Sequence, residues 1–308
     1  MVILDTVIML NLFQHLRPLS LHPHPLRERE GVRGFTLIEL LVVIAILGIL
    51  AVAVVTALNI VGNLNKGTLA RSKTFNASIE NALSINQVGK WSFEDGVGST
   101  IAKDTSGYGN NGTLTNSPTW KTATDCGLGL GGCLSFDGVD DDFVDIPYNA
   151  TLLPSSITLT AWAKANTLAS WGGIVTNKND GNHGINLQMG TNEDIASLVG
   201  SGDNSFYVKT DWKPKTGQWY HIVITHDSTN NENKLYVNGK LEKTYPYALL
   251  YNPNPPTRIG RFYTGITVQP FTFDGLIDEV AIYNQALLSS QIQKLYAQGV
   301  IRRAIAYR

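Results

Sequence analysis

Nine residues from Asp104 to Gly112, DTSGYGNNG, combine groups that could bind a metal ion. They supply a carboxylate, side-chain amide oxygens and backbone carbonyls freed by glycine, and these hard oxygen ligands are the ones that calcium prefers. The same composition is also typical of an Asx-turn loop that hydrogen-bonds to its own backbone. From these residues alone, a calcium site and a purely structural loop are both open.

A second carboxylate, Asp278, lies in the strand-like run FDGLIDEVAIY. Strict alternation along a strand would place it on one face with Leu276, Val280 and Ile282. A carboxylate on an apolar face needs a partner, because an unpaired buried charge is too costly. Calcium, backbone N–H groups or an arginine could be that partner.

The segment FDGVDDD contains another acidic cluster, formed by Asp137, Asp140, Asp141 and Asp142. Four carboxylates in so short a stretch repel one another unless they are solvated or bind a metal. An exposed hairpin loop is the commoner explanation for such a cluster.

Aromatic side chains could bind a sugar, because a ring packs on the apolar face of a pyranose while neighbouring amides bind hydroxyls. Three tryptophans fall within regular strand patterns, which indicates burial: Trp91, Trp162 and Trp219. The candidates for glycan contact lie in or beside loops rich in Gly, Asn and Lys: Tyr108, Trp171, Trp212 and Asn179.

The chain contains two cysteines, Cys126 and Cys133, on either side of the segment GLGLGG. In an exported domain the expected state is a disulfide that closes a small loop. Zinc is the weaker alternative, because neither a C-x-x-C motif nor paired histidines accompany them.

These groups must be carried by two different kinds of element, and the first is a long apolar helix. Residues Leu40 to Val61 contain no charge, and at about 1.5 Å per residue they span a bilayer's hydrocarbon core of roughly 30 Å. Glu39 lies at the start of this span. An acidic residue inside a membrane helix costs about 3 kcal/mol, so it predicts either a helix-start carboxylate or a functional pair.

The run GFTLIELLVVIAILGILA from Gly34 resembles the amino-terminal segment of type IV prepilins and pseudopilins. The resemblance implies that a prepilin peptidase cleaves after Gly34 and methylates the new amino group of Phe35. It also implies that Glu39 pairs with the amine of a neighbouring pilin subunit during filament assembly. No proline occurs between Phe35 and Ser117, which favours a minor pilin or pseudopilin over a major pilin.

The second kind of element is the β-strand. Residues 63–88 continue the helix as an amphipathic rod, but from Lys90 short alternating runs are separated by Gly, Asn, Asp and Pro clusters. Asn238-Gly239 between two such runs is a strong hairpin signal. The pattern predicts a mainly β protein, in which a pilin-type helix precedes a two-sheet antiparallel sandwich of the jelly-roll kind. A late helix is expected from Ser289 or Ser290 to Gly299.

Several phrases of this region resemble the LamG-like jelly-roll family of the concanavalin A-like lectin and glucanase superfamily. They include LSFDGVDDDFVDIP from Leu134, GQWYHIVITHD from Gly217 and FDGLIDEVAIYNQALLSSQI from Phe273. The resemblance implies a calcium site, with Asp104, Asn110 and Asp278 as ligand candidates. It does not imply catalysis, because the Glu-x-Asp-x-x-Glu spacing of laminarinase-type glycosidases is absent, and no G-x-S-x-G motif occurs.

The sequence thus predicts a leader (1–34), a transmembrane and amphipathic helix (35–88), a jelly-roll domain (89–299) and a tail (300–308). With 24 basic and 25 acidic residues the chain is nearly neutral, and no nucleic-acid partner is predicted. We expect a single-pass filament subunit of the cytoplasmic membrane whose outer domain binds a glycan. The alternatives are a surface-anchored glycosidase and a pilin with a purely structural β domain.

Overall fold

The computed structural model describes residues 83–127, 131–168, 171–177, 182–190, 194–202, 205–211, 213–262 and 271–306. Chain contacts divide the protein into two units, Met1–Thr68 and Leu69–Arg308, and every described residue belongs to the second unit. The predicted membrane span and the residues Gly34, Phe35 and Glu39 lie outside the described residues. Within the described part, no helix is both long enough and apolar enough to cross a membrane.

The described chain folds into two large antiparallel sheets. Sheet A consists of β1 (Gln87–Trp91), β4 (Thr119–Lys121), β5 (Cys133–Asp137), β7 (Ile157–Ala165), β12 (Tyr220–Asp227), β13 (Glu232–Val237), β14 (Lys240–Tyr245) and β18 (Asp274–Tyr283). Sheet B consists of β2 (Ile101–Ala102), β3 (Gly112–Thr115), β6 (Phe143–Ile146), β8 (Gly172–Asn177), β9 (His183–Gly190), β10 (Asp194–Ser201), β11 (Ser205–Lys209) and β15 (Thr257–Ile259). A small ribbon, β16 (Arg261–Phe262) and β17 (Phe271–Thr272), completes the strands.

The strand order shows the crossovers of a jelly roll. Sheet A runs β14-β13-β12-β7-β18-β5-β4 with β1 beside β18, and sheet B runs β11-β10-β9-β8-β15-β6-β3-β2. The predicted hairpin at Asn238-Gly239 is confirmed, because both residues have positive φ, 50° and 77°, as a tight turn between β13 and β14 requires. The predicted fold class is therefore confirmed.

The main core lies between the two sheets. It contains alternate residues of the strands and the largest buried rings, among them Trp91, Phe93 and Phe136. Alternation explains this arrangement, because every second side chain of a strand faces the opposite sheet.

A second apolar cluster lies on the other side of sheet A. Leu83, Tyr236, Tyr283 and Ile292 are buried there, and Ile292 belongs to the long helix α2 (Ser289–Ala306). A short helix, α1 (Ala123–Cys126), and a 3-10 turn at Ala150–Leu152 complete the helical elements that the structure describes. Helix α2 thus covers the outer face of sheet A, while no described helix covers the outer face of sheet B.

The structure changes two predicted boundaries. Strand β1 begins at Gln87, so the end of the predicted helix 35–88 belongs to a strand. Helix α2 does not stop at Gly299 but continues through the predicted tail to Ala306. The physical reason is that Gly299 does not cap the helix. A Cβ atom there would lie 2.5 Å from Cζ2 of Trp162, so the glycine allows α2 to approach sheet A closely.

Candidate functional site

The loop after β2 uses the carboxylate of Asp104 to hold its own backbone. Oδ1 accepts hydrogen bonds from the N–H groups of Lys90 and Ser106, each at 2.9 Å. Oδ2 accepts from Ser106 Oγ and from the N–H of Asn110, each at 2.8 Å. These four bonds form the Asx-type loop that was the alternative to a calcium site, and they fasten the loop to β1.

Asn110 extends the same network. Its side-chain amide donates to the carbonyl of Val88 at 2.8 Å, and its Oδ1 accepts from Asn149 Nδ2 at 2.6 Å. Its backbone carbonyl accepts from the indole N–H of Trp91 at 2.9 Å. Asp104 and Asn110 therefore lie in one hydrogen-bond network that joins β1 to the loop.

Asp278 is placed differently from the prediction. The register of β18 shifts between Asp278 and Ala281, and Glu279 has a φ of 46°. This bulge breaks the alternation, so Val280 and Ile282 face the main core together with Ile277 rather than with Leu276. Asp278 is fully buried opposite Trp162, and its Oδ1 accepts from the N–H of Glu279 at 2.7 Å.

Among the described residues, no three His, Cys, Asp or Glu side chains meet in a metal-binding group. Calcium at Asp104, Asn110 and Asp278 stays a prediction.

The two cysteines are bonded to each other, with an S–S distance of 2.08 Å. The backbone carbonyl of Cys126 accepts a hydrogen bond from the indole N–H of Trp219 at 2.8 Å. The disulfide therefore packs against sheet A.

The outer face of sheet B has a different chemistry, because a row of polar side chains crosses it from strand to strand. Asn186 pairs with Thr176, Thr176 with Arg258, and Arg258 with Asp145. We call these four residues the polar row. Gln188 lies beside it on β9 and accepts a hydrogen bond from Asn186 Nδ2 at 3.2 Å.

Two groups in this region are buried without a hydrogen-bond partner among the described residues, the amide nitrogen of Gln188 and the hydroxyl of Thr176. Buried polar groups in proteins are normally paired with protein or with an internal water molecule. Because Asn186, Thr176 and Gln188 are all 0% exposed, this part of the face is closed to a ligand in the described structure.

An aromatic pair lies at the β11 end of the same face. The rings of Trp171 and Tyr207 are 5.9 Å apart with an interplanar angle of 30°. Tyr207 is 48% exposed, and partial burial raises the pKa of its hydroxyl. Together the two rings form a surface on which a sugar ring could pack.

The structure thus brings one predicted glycan residue, Trp171, next to a residue that the sequence reasoning missed. In SFYVK, Val208 is buried and Tyr207 points outward, so strict alternation along β11 was the signal that could have found it. Tyr108 is 46% exposed but lies in the loop of Asp104, apart from this pair. Trp212 and Asn179 lie outside the described residues.

Arg258 of the polar row and Arg261 of β16 both lie beside the ring of Phe143. The guanidinium of Arg261 is 4.3 Å from the ring centroid and that of Arg258 is 5.8 Å away. Arg261 Nη1 donates to Asp141 Oδ2 at 2.6 Å, and Arg258 Nε donates to Asp145 Oδ1 at 3.2 Å. One member of the predicted acidic cluster, Asp141, therefore neutralises Arg261, and Asp145, which lies outside that cluster, neutralises Arg258.

A cavity of about 370 Å³ lies on the opposite side of the molecule, between α2 and sheet A. Its lining includes Lys90, Trp162, His221 and Glu279. Nε2 of His221 is 2.8 Å from Thr160 Oγ1, and burial lowers the pKa of this imidazole to about 3. His221 is therefore a neutral hydrogen-bonding group at physiological pH.

Two packed antiparallel sheets with one polar and aromatic outer face define a lectin-like β-sandwich. The sequence profile of the concanavalin A-like lectin/glucanases superfamily matches residues 137–293, and the chain belongs to this superfamily. A prokaryotic N-terminal methylation motif matches residues 31–55, so the chain combines both parts that its sequence resembles. None of the curated proteins matches it.

Solved structures share the fold at low sequence identity. Domain 4 of the extracellular arabinanase AbnA from Geobacillus stearothermophilus, solved with arabinotriose, is 24% identical with a TM-score of 0.55, and the match covers 68% of this chain and 98% of that one. A botulinum neurotoxin type C chain, whose cell entry depends on two ganglioside molecules, is 15% identical with a TM-score of 0.56. That match covers 71% of this chain and 52% of the toxin chain.

A sialidase from Trypanosoma rangeli, solved with sialic acid, is 17% identical with a TM-score of 0.52. The match covers 70% of this chain and 34% of the sialidase chain. At these identities the comparisons establish the architecture of the domain, and its ligand must be argued from its own residues.

Proposed function

We propose that this protein is a subunit of a type IV filament, a minor pilin or pseudopilin, that displays a glycan-binding domain outside the cell. The N-terminal methylation motif supports the filament assignment, because it coincides with an apolar span and with Glu39 at the predicted assembly position. Prepilin peptidase and neighbouring pilins are its expected partners. The anchor is a single pass through the cytoplasmic membrane, and the β domain lies on the outer side.

The observation that carries glycan binding is the ring pair of Trp171, which is half-buried, and Tyr207, which is 48% exposed. Ring faces pack against the apolar face of a sugar, and amide and hydroxyl groups bind its hydroxyls. In the described structure the ring pair lies at the β11 end of the sheet face that α2 leaves uncovered. The structures solved with arabinotriose and with sialic acid add the observation that domains of this architecture occur in carbohydrate-binding proteins.

A glycan array with the full-length protein in detergent tests this function. We expect binding without hydrolysis, and Tyr207→Ala should weaken it about fivefold, because a ring contact contributes on the order of 1 kcal/mol. Tyr148→Ala is the matched control, since Tyr148 is 46% exposed but lies in the segment after β6.

Two results would contradict the proposal. Release of free sugars from an array glycan would favour a surface-anchored glycosidase, whereas no binding to any glycan would favour a purely structural β domain. A loss of binding with Tyr108→Ala rather than Tyr207→Ala would move the site to the loop of Asp104.

A further inference from the structure

The β11 end of the outer face of sheet B carries an accessible cation beside the ring pair of Trp171 and Tyr207. Lys209 follows Tyr207 by two residues on β11, and Val208 between them is buried in the main core. Alternation along the strand therefore places Tyr207 and Lys209 on the same outer face, about 7 Å apart. The side chain of Lys209 is 53% exposed and Tyr207 is 48% exposed, so a ligand can reach both from solvent.

The strand register brings Trp171 close to Lys209 as well. A line of paired residues crosses the sheet from the residue after Trp171 to the residue after Lys209: Gly172, Met189, Ile195 and Thr210. The backbone of Trp171 is therefore level with position 211 of the chain, beyond Lys209, whereas its ring lies 5.9 Å from that of Tyr207. Lys209 lies between these two levels, next to the surface that the rings form.

The ion pair of Lys209 is loose. Its Nζ is 3.5 Å from Asp194 Oδ2, which is at the long limit for a hydrogen bond. An ammonium group has three N–H donors, and a single carboxylate at this distance does not use them all. Exposed ion pairs of this kind contribute at most about 1 kcal/mol. Lys209 can therefore bind a second anion while it stays near Asp194.

The two arginines of the same face are not available in this way. The side chain of Arg258 is 21% exposed and that of Arg261 is 13% exposed, and each donates to a carboxylate, at 3.2 Å and 2.6 Å. The strand of Arg258, β15, is four strand intervals from β11, or about 19 Å across the sheet. A ligand on the ring pair therefore meets Lys209 and not these arginines.

The closed centre of the face limits the size of the ligand. Asn186, Thr176 and Gln188 are 0% exposed, so a ligand cannot extend inward along the polar row. Since β11 is the last strand of sheet B, the accessible surface is the end of the face. With their centroids 5.9 Å apart, the two rings offer a contact surface for about one sugar ring.

We propose that the β11 end of sheet B binds one anionic sugar unit, with its ring against Trp171 and Tyr207 and its carboxylate or sulfate at Lys209. This proposal rests on the glycan-binding function proposed above and adds the chemical class of the ligand. The rings position the sugar, and a charge-assisted hydrogen bond from Lys209 distinguishes an anionic sugar from a neutral one. The contact requires no metal ion, because the ammonium group itself neutralises the anion.

Surface plasmon resonance with the full-length protein in detergent tests the proposal on surfaces that carry polygalacturonate, dextran sulfate or dextran. The first polymer presents carboxylates, the second presents sulfates and the third has no charge, so the three surfaces separate the two anions from each other and from a neutral sugar. We expect at least one anionic polymer to bind at least fivefold more tightly than dextran in about 0.02 M NaCl, and to bind more weakly as NaCl rises to about 0.5 M. A chelator should not change this binding.

Lys209→Gln is the informative variant, because it removes the charge and keeps most of the side-chain length. It should weaken binding to the anionic polymer about fivefold at low salt and change it little at high salt. Lys209→Arg should retain the binding, since a guanidinium also donates to a carboxylate or a sulfate. Lys294→Gln is the matched control, because it removes the same charge from an exposed position of α2, on the side of sheet A.

The outcomes separate the two proposals. If dextran binds as tightly as both anionic polymers, the anionic class is overturned while glycan binding stands. If Lys209→Gln weakens the binding no more than Lys294→Gln does, the anion is not bound at Lys209, and this inference is overturned without affecting glycan binding. If the wild type binds none of the three polymers and no array glycan, the proposed glycan-binding function fails, and this inference fails with it.

Discussion

At the scale of single residues, carboxylates of the same type have opposite roles according to what surrounds them. Asp104 is buried with hydrogen-bond donors on both oxygens, so its charge holds a loop on β1. Asp142 is also buried, but burial without enough donors raises its pKa to about 6. Its Oδ2 accepts one hydrogen bond, from the N–H of Asp137 at 3.1 Å. The charge of Asp142 therefore costs stability at neutral pH.

The pKa of Asp142 predicts how stability depends on pH. Its value is about 6 in the folded protein, against 3.8 ordinarily, because of burial first and repulsion from Asp137 and Asp140 after it. Between these values the folded state binds more protons than the unfolded state. This residue's contribution to stability is therefore complete below pH 3.8 and is lost as the pH rises through about 6.

Asp142→Asn should remove this loss and stabilise the protein at pH 7 by roughly 2–3 kcal/mol, with no gain near pH 4. Urea unfolding midpoints at several pH values between those limits measure the difference between the variant and the wild type. Asp140→Asn, an exposed neighbour, should change little. A constant difference across the pH range would show that the Asp142 charge is not responsible.

At the scale of elements, small local features decide how the helix and strands meet. The bulge at Glu279 changes which side chains of β18 enter the core, and Gly299 decides how closely α2 packs on Trp162. Both features occur in elements whose type, strand or helix, the sequence pattern predicts correctly. The pattern identifies β18 as a strand and α2 as a helix, but neither the shifted register nor the close contact is visible in a periodicity.

The sign of the stability change in Gly299→Ala distinguishes two roles for this glycine, an ordinary helical position and a position of close packing. If Gly299 were an ordinary exposed position inside a helix, alanine would stabilise the protein by up to about 1 kcal/mol. Because a Cβ would lie 2.5 Å from Trp162, we expect destabilisation by about 1–3 kcal/mol instead.

Thermal unfolding of the two proteins measures the effect. Val300→Ala is the control, since Val300 is 38% exposed at the adjacent helical position and should change stability little. An increase in the melting temperature of Gly299→Ala would contradict the packing role.

At the scale of the whole molecule, two parts with different physical requirements share one chain. The methylation motif covers residues 31–55, and the lectin-like profile covers residues 137–293. In the proposed function, the first part inserts into the membrane and assembles with other pilins. The second part is the domain that this proposal places outside the cell, so the two roles should be separable by mutation.

The filament half of the proposed function predicts the mature N-terminus. Mass spectrometry of the protein from its natural membrane should find a chain that begins at methylated Phe35. Glu39→Ala should insert into the membrane normally but enter filaments poorly, because the new amine then lacks its carboxylate partner.

Glu80→Ala, which removes an acid beyond the apolar run, should assemble as the wild type does. A mature chain that keeps Met1 would contradict the processing, and normal assembly of Glu39→Ala would contradict the pairing.

Much of the fold of this molecule can be predicted from its sequence. Local patterns, which a sequence displays directly, predict the apolar run after Glu39, the alternating strands and the shared face of the core residues. The Asn238-Gly239 turn is predicted from the residue types of that dipeptide. The phrases that resemble two families added the correct fold and the correct fusion. Trp171 was found because it lies in a loop whose composition suggests exposure.

Only the tertiary structure determines which functional side chains come into contact. Tyr207 reaches Trp171, and Arg258 pairs with Asp145, across strands that are far apart in the chain, so no local pattern records these contacts. The same is true of Asp278 and Gly299, whose surroundings come from neighbouring strands and from Trp162. Side-chain periodicity depends on the backbone of one segment, whereas a binding surface depends on the register among many, and that register exists only in the folded protein.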